Sequence, residues 1–332
     1  MLTNVWKMPL KSQRQPDFIL DKGHPDKFET NKTSRARKFC FDEGWTGIGW
    51  GLPNIFSRLS DAEKYLASLN AIPKNELPFP FIDASGSCKA LAFDMKIGDF
   101  VWCRTDKNSY YVGRVCGPWE YHFEGKFADF DLYQVRKCDW HFAGPSDLIP
   151  GRIKNAFAGP GMAISRMKTE SDAALFASEL IWEIKTGEAP SRQNWLGDSI
   201  LPVVGHDELE DIVGLYLQME LGWYIVPTTA KFATPHTEFV LRNRAGQRAY
   251  LQVKSGKKKV EFPTLELSED IDNFFVFYPT LSDSEVVGLN TKIKAIKPQA
   301  IEEFIRLNRV LLPKFVQLLS NSRTTHPPSA LR

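Results

Sequence analysis

No apolar run in this chain is long enough to cross a bilayer, and its opening, MLTNVWKMPLKSQRQPDF, lacks both the apolar core and the small-residue cleavage site of a secretory signal. These absences predict a cytoplasmic protein with no membrane partner. Cysteine is sparse and scattered: Cys40, Cys88, Cys103, Cys116 and Cys138 form no C-x-x-C pair and have no histidine pair beside them. A zinc ribbon or finger is therefore excluded, and reduced, mostly buried thiols are expected. Neither a G-x-G-x-x-G opening a helix nor a phosphate-loop lysine occurs, which sets aside the common nucleotide cradles. A large net charge is missing as well. At +2 the balance neither demands nor excludes nucleic acid, because a local basic patch binds phosphate on a nearly neutral protein. There is no internal repeat and no low-complexity block.

What is present is an ordinary globular composition, 43% hydrophobic and 25% charged over 332 residues, with a mean hydropathy of −0.29. That length predicts two domains, each with its own core. Residues 1–30 are polar and turn-rich and read as an arm rather than a packed element. Residues 31–167 hold Trp45, Trp50, Trp102, Trp119 and Trp140 and several short β-rich runs, such as DFVWCR and YYVGRVCG. Short strands between turn signals predict a β-rich, barrel-like domain. The one clear helix there is SDAEKYLASL, with Ser60 and Glu63 at capping-box spacing and an apolar stripe of Ala62, Tyr65, Leu66 and Leu69. Residues 168–200 read as a helix and linker, with the boundary near 190.

Residues 201–320 alternate helix and strand. The expected order is a helix over DELEDIVGLYLQMELG, strands WYIVP, TEFVLRN, RAYLQVKSG and NFFVFYP, and one C-terminal helix over PQAIEEFIRLNRVLLPKFVQLL, before a disordered tail at 321–332. This is an α/β domain with a mixed sheet flanked by helices. Strand alternation puts Gln252 and Lys254 on one face of their strand and Leu251 and Val253 on the other. Pairing through a turn at Ala245-Gly246 brings Glu238 of the preceding strand to the same face. Glu210 heads the helical row Val213, Leu217, Leu221, which aims its carboxylate toward the sheet; Glu208 and Asp211 rank below it. Two carboxylates and a side-chain oxygen suit Mg2+ beside a phosphate, and a lysine suits the charge that develops there.

Glu210, Glu238 and the run Gln252-Val253-Lys254 resemble the PD-(D/E)XK nuclease superfamily in its Q-x-K variant, and DELEDIVGLYLQMELGWYIVP followed by YLQVKSG is similar to Mrr-type restriction endonucleases. The resemblance covers roughly residues 201–280. It implies a restriction-endonuclease-like fold and cleavage of double-stranded DNA with Mg2+ or Mn2+. It assigns Glu210, Glu238, Gln252 and Lys254 to catalysis, with Glu210 and Glu238 also on the metal. The departure is Glu238, where the superfamily usually has Asp; the extra methylene leaves Glu208 or Asp207 open as the true acid. Cleavage of both strands by one site per chain favours a homodimer. Lys257 and Lys258 extend a phosphate track. His206 and His236 are not expected to be ligands.

The first half resembles the small PUA and EVE-like β-barrel modules fused to restriction nucleases, which implies a pocket for a modified or extruded base. Trp45, Trp50, Trp102 and Trp119 are its candidates, with Tyr110 and Tyr111 behind them. The competing readings are a nucleic-acid-binding protein on an inactive nuclease scaffold, and a nuclease acting on RNA.

Overall fold

A computed structural model describes residues 3–10, 25–77, 79–105, 108–158, 162–167, 173–188, 199–231, 239–255, 270–282, 285 and 290–324. In chain order its elements are β1 (Val5–Lys7), α1 (Pro25–Glu43), β2 (Trp45–Ile48), α2 (Ala62–Ala71), α3 (Phe81–Lys89), β3 (Phe100–Arg104), β4 (Ser109–Tyr121), α4 (Gly125–Asp129), β5 (Gln134–Pro145), α5 (Gly151–Ala156), β6 (Ser165–Arg166), α6 (Ala173–Thr186), α7 (His206–Met219), β7 (Tyr224–Ile225), β8 (Phe239–Arg242), β9 (Arg248–Val253), β10 (Asn273–Phe277), β11 (Ile293–Ala295), α8 (Pro298–Leu307) and α9 (Lys314–Thr324). They fall into two compact units. One holds Met1–Ile149, Ile153–Lys168 and Ala177–Pro190; the other holds Pro150–Arg152, Thr169–Phe176 and Ser191–Arg332. Among the described residues no helix is long and apolar enough to cross a membrane.

The first unit is a six-stranded sheet in the order β2-β5-β4-β3-β1-β6, curled as a half-barrel. Along β4 the buried residues Val115, Gly117, Trp119 and Tyr121 alternate with the more exposed Arg114, Cys116, Pro118 and Glu120, the period a strand with one inward face requires. Pro118 cannot donate to the ladder, and the β4–β5 register shifts between Val115 and Trp119, where the strand bends. Buried Arg136 on β5 donates to the carbonyls of Gly117, Leu91 and Met95, so a cation in the core ties the bend to a π-helical turn at Ala90–Asp94.

The N-terminal segment is not an arm over its described part. Val5–Lys7 runs parallel to β3 and antiparallel to β6, and Val5, Trp6, Met8 and Leu10 are buried. The anchor is the buried carboxylate of Asp99, which accepts from Asn4 N (2.9 Å), the Trp6 indole (2.8 Å) and Lys96 N (3.0 Å). The expected cap at Ser60 is also corrected: Asp61 caps α2, accepting from Glu63 N at 2.9 Å, and Ala62, Tyr65 and Leu69 are buried as the stripe predicts. Helices α1, α3, α4 and α5 add to the one that was legible in residues 31–167.

The second unit is a five-stranded mixed sheet in the order β11-β10-β9-β8-β7 with helices around it. β7, β8 and β9 form an antiparallel meander, while β9, β10 and β11 run parallel. The expected single C-terminal helix is two, α8 and α9, separated at Pro313, whose missing N–H and ring stop a helix from passing through.

Candidate active site

The turn that joins β8 to β9 is built by its own side chain. Asn243 Oδ1 accepts from Ala245 N and Gln247 N, both at 3.0 Å, and Gly246 takes φ +81°, a conformation that costs glycine little. This sets the register Phe239↔Leu251, Val240↔Tyr250 and Leu241↔Ala249, and the parallel partner strand continues it with Leu251↔Phe275 and Gln252↔Val276. One face therefore carries Phe239, Leu241, Leu251 and Phe275. Helix α7 packs against β7 and β9, and Gly214 makes its close approach possible: a Cβ there would lie 3.0 Å from Ile225 Cδ1 and 3.5 Å from the Phe239 ring.

The other face carries Tyr250, Gln252, Phe274 and Val276, with Ile271, Tyr278 and Leu281 completing an apolar cluster. Gln252 is only 5% exposed, and its Oε1 has no hydrogen-bond partner among the described residues. Lys254 follows two residues on, where β9 ends; it is half-buried and its N–H donates to Phe277 O at 2.9 Å. The structure thus brings a buried amide oxygen and a lysine to the end of one central strand. Glu238, His236, Lys257 and Lys258 lie outside the described residues.

The helix acid is differently placed from the expectation. The buried arc of α7 is Leu209, Ile212, Val213 and Leu217, and the acid that heads it is Glu208, 4% exposed. Its Oε1 accepts from Gly151 N, and a Cβ at Gly205, the N-cap, would collide with its Oε2. A Cβ at Gly151 would collide with Asp207. Asp207 and Glu208 thus face glycine backbone, which assigns Glu208 a structural hydrogen bond at the head of the helix. The signal in the sequence was a glycine N-cap with a glutamate three residues on. Glu210 sits at the rim of the arc, half-buried, with its carboxylate 2.9 Å from His206 Nδ1.

Magnesium and manganese take hard oxygen donors. The amide oxygen of Gln252 and the carboxylate of Glu210 fit in kind, but α7 packs on the Leu251 face of the sheet, opposite Gln252, and among the described residues no group of three or more His, Cys, Asp or Glu is placed to hold an ion.

The aromatic candidates of the first unit separate into three kinds. Trp102 is fully buried and its indole N–H donates to Ser178 Oγ at 2.8 Å, a satisfied core position rather than a pocket wall. Tyr110 is likewise core, and Tyr111 stacks on Phe41 with centroids 3.9 Å apart. Trp45 is half-buried beneath Lys137, whose Nζ stands 3.7 Å from the ring centroid. Trp50 and Trp119 differ: both are buried, and neither indole N–H has an acceptor among the described residues. Trp50 also holds φ +69°, an outlier for a bulky residue, and its carbonyl accepts from Tyr65 Oη at 2.7 Å. Tyr65 packs on Trp119 and Tyr121. On the same sheet face Gln134 is fully buried, with Oε1 unpaired among the described residues. No pattern in the sequence singled out Gln134.

Residues 27–155 match the model of a family described as a domain of unknown function, DUF8426. No curated protein and no solved structure matches the chain.

Proposed function

We propose that this chain is a metal-dependent endonuclease of restriction or phage-defence type that hydrolyses phosphodiester bonds of double-stranded DNA, working as a homodimer. The observation that carries this reading is the amide oxygen of Gln252, buried two residues before Lys254 and without a hydrogen-bond partner among the described residues. A buried acceptor left unmade costs on the order of 1–3 kcal/mol, so a polar side chain kept where an apolar one would pack is a position held for something that binds. The mixed sheet flanked by helices, with the antiparallel meander preceding the parallel strands, agrees with the fold that the resemblance implies.

Bound Mg2+ or Mn2+ supplies Lewis-acid stabilisation of the phosphate and an acidified water. Gln252 would offer it oxygen, with Glu238 as a carboxylate; Glu210, which the resemblance also assigns to the metal, sits on α7, and α7 packs on the sheet face opposite Gln252. The Lys254 ammonium orients the attacking water and offsets the charge that grows on the phosphate as the bond breaks. In the first unit, the indole donors of Trp50 and Trp119 and the amide acceptor of Gln134 have no partner among the described residues. That set complements a base edge with two acceptors and one donor, which is the pairing edge of cytosine, and supports a reader for modified cytosine in DNA. Trp45, Lys257 and Lys258 are the outlying candidates for the strand itself.

One observation favours a second reading, a nucleic-acid-binding protein on an inactive nuclease scaffold: the Glu210 carboxylate lies 2.9 Å from His206 Nδ1, which pairs with it when the imidazole is protonated. Lys254→Ala and Gln252→Ala discriminate the two. In the nuclease both substitutions abolish cleavage while DNA binding stays within a few-fold; cleavage that survives Lys254→Ala removes the site assignment.

A further inference from the structure

β7 is an edge strand: the second sheet runs β11-β10-β9-β8-β7, and among the described residues no strand pairs with the far side of Tyr224–Ile225. The Val226 N–H donates to Val240 O at 2.9 Å, so Val226 turns its peptide groups toward β8. In an antiparallel ladder the neighbouring residue turns the other way, and Ile225 therefore offers one N–H and one C=O outward, side by side. Backbone groups left open on an edge are a template for another chain.

The side chains around this edge are apolar on both faces of the sheet. Tyr224 is 43% exposed and pairs in register with Arg242 and through it with Arg248, which puts it on the face of Gln252. Met219 ends α7 on the opposite face and Leu221 follows it; they are 48% and 44% exposed. The Trp223 N–H donates to Leu217 O at 2.9 Å and ties this end of α7 to the start of β7. Residues 221–230, LGWYIVPTTA, contain no charged side chain. The opposite edge is different: β11 carries the exposed Lys294, with Lys292 just before the strand and Lys297 just after it, and lysine on an edge discourages pairing. One edge of the sheet is guarded and the other is open.

We infer that β7 is the contact between two copies of this chain, paired antiparallel about a two-fold axis at Ile225. Under that axis each Ile225 N–H meets the C=O of the partner's Ile225, Tyr224 falls beside the partner's Val226, and the two five-stranded sheets become continuous. A second copy fits this edge because it brings the same donor and acceptor in reverse order and the same uncharged surround. A charged peptide would meet no opposite charge among residues 221–230. Pro227 has no N–H and the Trp223 N–H is held by Leu217 O, so the ladder ends after the Ile225 pair. Isologous pairing uses up the edge and closes the assembly as a dimer. The inference gives the homodimer of the proposed function its interface and rests on that reading, but uses none of the nuclease chemistry.

Sedimentation equilibrium of the whole chain, without DNA or metal and from low to high micromolar concentration, tests it. The expected mass is twice the 37.8 kDa of one chain. Leu221→Lys and Tyr224→Lys, both at exposed positions, should each weaken the dimer about tenfold or more, since like charges then gather at the axis, with the far-ultraviolet circular dichroism unchanged. Lys294→Glu, at the other edge, should leave the dimer constant unaltered. Hydrogen exchange read on the peptide spanning residues 221–230 should slow as concentration rises, because the Ile225 amide gains its acceptor in the dimer, and the two lysine variants should lose that protection. A single-chain mass at every concentration overturns the inference. So does a dimer or larger assembly that both lysine variants leave intact, or exchange at residues 221–230 that ignores concentration. Cleavage is decided separately: a monomer that cuts modified plasmid keeps the nuclease and loses this interface, and a dimer that cuts nothing does the reverse.

Discussion

Replacing Asp99 with alanine should unravel the N-terminal edge of the first unit. Asp99 is 2% exposed, and its carboxylate accepts from Asn4 N, Asn4 Nδ2, the Trp6 indole and Lys96 N, at 2.9, 3.3, 2.8 and 3.0 Å. Hydrogen bonds to a charged acceptor contribute about 1.5–3 kcal/mol each, and a buried donor left unpaired costs about 1–3 kcal/mol. Water can reach the half-buried Asn4, but not the Trp6 indole, since Trp6 is 2% exposed. Arg136 adds to the loss: burial lowers the pKa of its guanidinium, and the Asp99 charge acts against that lowering. Taken together, Asp99→Ala should cost about 3–5 kcal/mol, and Asp99→Asn about 2–3 kcal/mol because it keeps the shape while turning a donor toward donors. Urea unfolding followed by circular dichroism and tryptophan fluorescence measures the difference. The cycle with Trp6→Phe should show a coupling of about 1–2 kcal/mol. A loss below about 1 kcal/mol for Asp99→Ala would refute the claim that this carboxylate holds β1 in the sheet.

Three further outcomes follow from the same geometry. Gln252→Leu removes the orphaned oxygen without changing the size of the side chain greatly; it should raise stability by about 1 kcal/mol in urea while cleavage is lost, and a destabilised variant would contradict the orphan assignment. Burial pushes the Cys88 thiol up to about 12 and raises Cys40 and Cys138 as well, while Cys116 is exposed. Iodoacetamide at pH 8 should therefore label Cys116 alone in the native chain, read by peptide mass, and labelling of Cys40 or Cys138 at a comparable rate would contradict the packing. At Glu120 burial raises the pKa, but hydrogen bonds from His122 and Arg58 outweigh it and hold the carboxyl below its ordinary value. A depressed folded-state pKa stabilises above the unfolded value and loses that contribution as pH falls through the folded one. The wild-type chain should lose stability relative to Glu120→Gln on acidification below the ordinary carboxylate range, and parallel pH profiles would count against the pairing.

Much of the second unit was legible in its periodicity. β8, the turn at Ala245-Gly246 and β9 follow from alternation and turn chemistry, and the hairpin register leaves Gln252 and Leu251 on opposite faces as alternation requires. The phase of α7 was harder. A row drawn through Glu210, Val213 and Leu217 and one drawn through Leu209, Ile212 and Val213 differ by a fraction of a turn, and only packing on Ile225 and Phe239 chooses between them. The role of Glu208 depends on Gly151, 57 residues away, which no local pattern encodes. The same holds for β1: three residues in a polar neighbourhood become a strand because Asp99, 93 residues beyond Trp6, satisfies the indole. β11 is likewise three residues long, too short to carry a period, and β10 supplies its register. In the first unit the tryptophans announced an aromatic interior, but which rings were satisfied turned on distant partners such as Ser178 for Trp102.

The nuclease reading stands or falls on a digest. Purified chain is incubated with matched plasmids, one unmodified and one carrying hydroxymethylated cytosine, in Mg2+ and in EDTA at equal ionic strength, beside an RNA of similar length. Nicking or linearisation of the modified plasmid in Mg2+ alone, lost in Lys254→Ala, is the predicted result. Intact plasmids in every lane, with binding still measurable by gel shift, would contradict it and leave the inactive scaffold in its place.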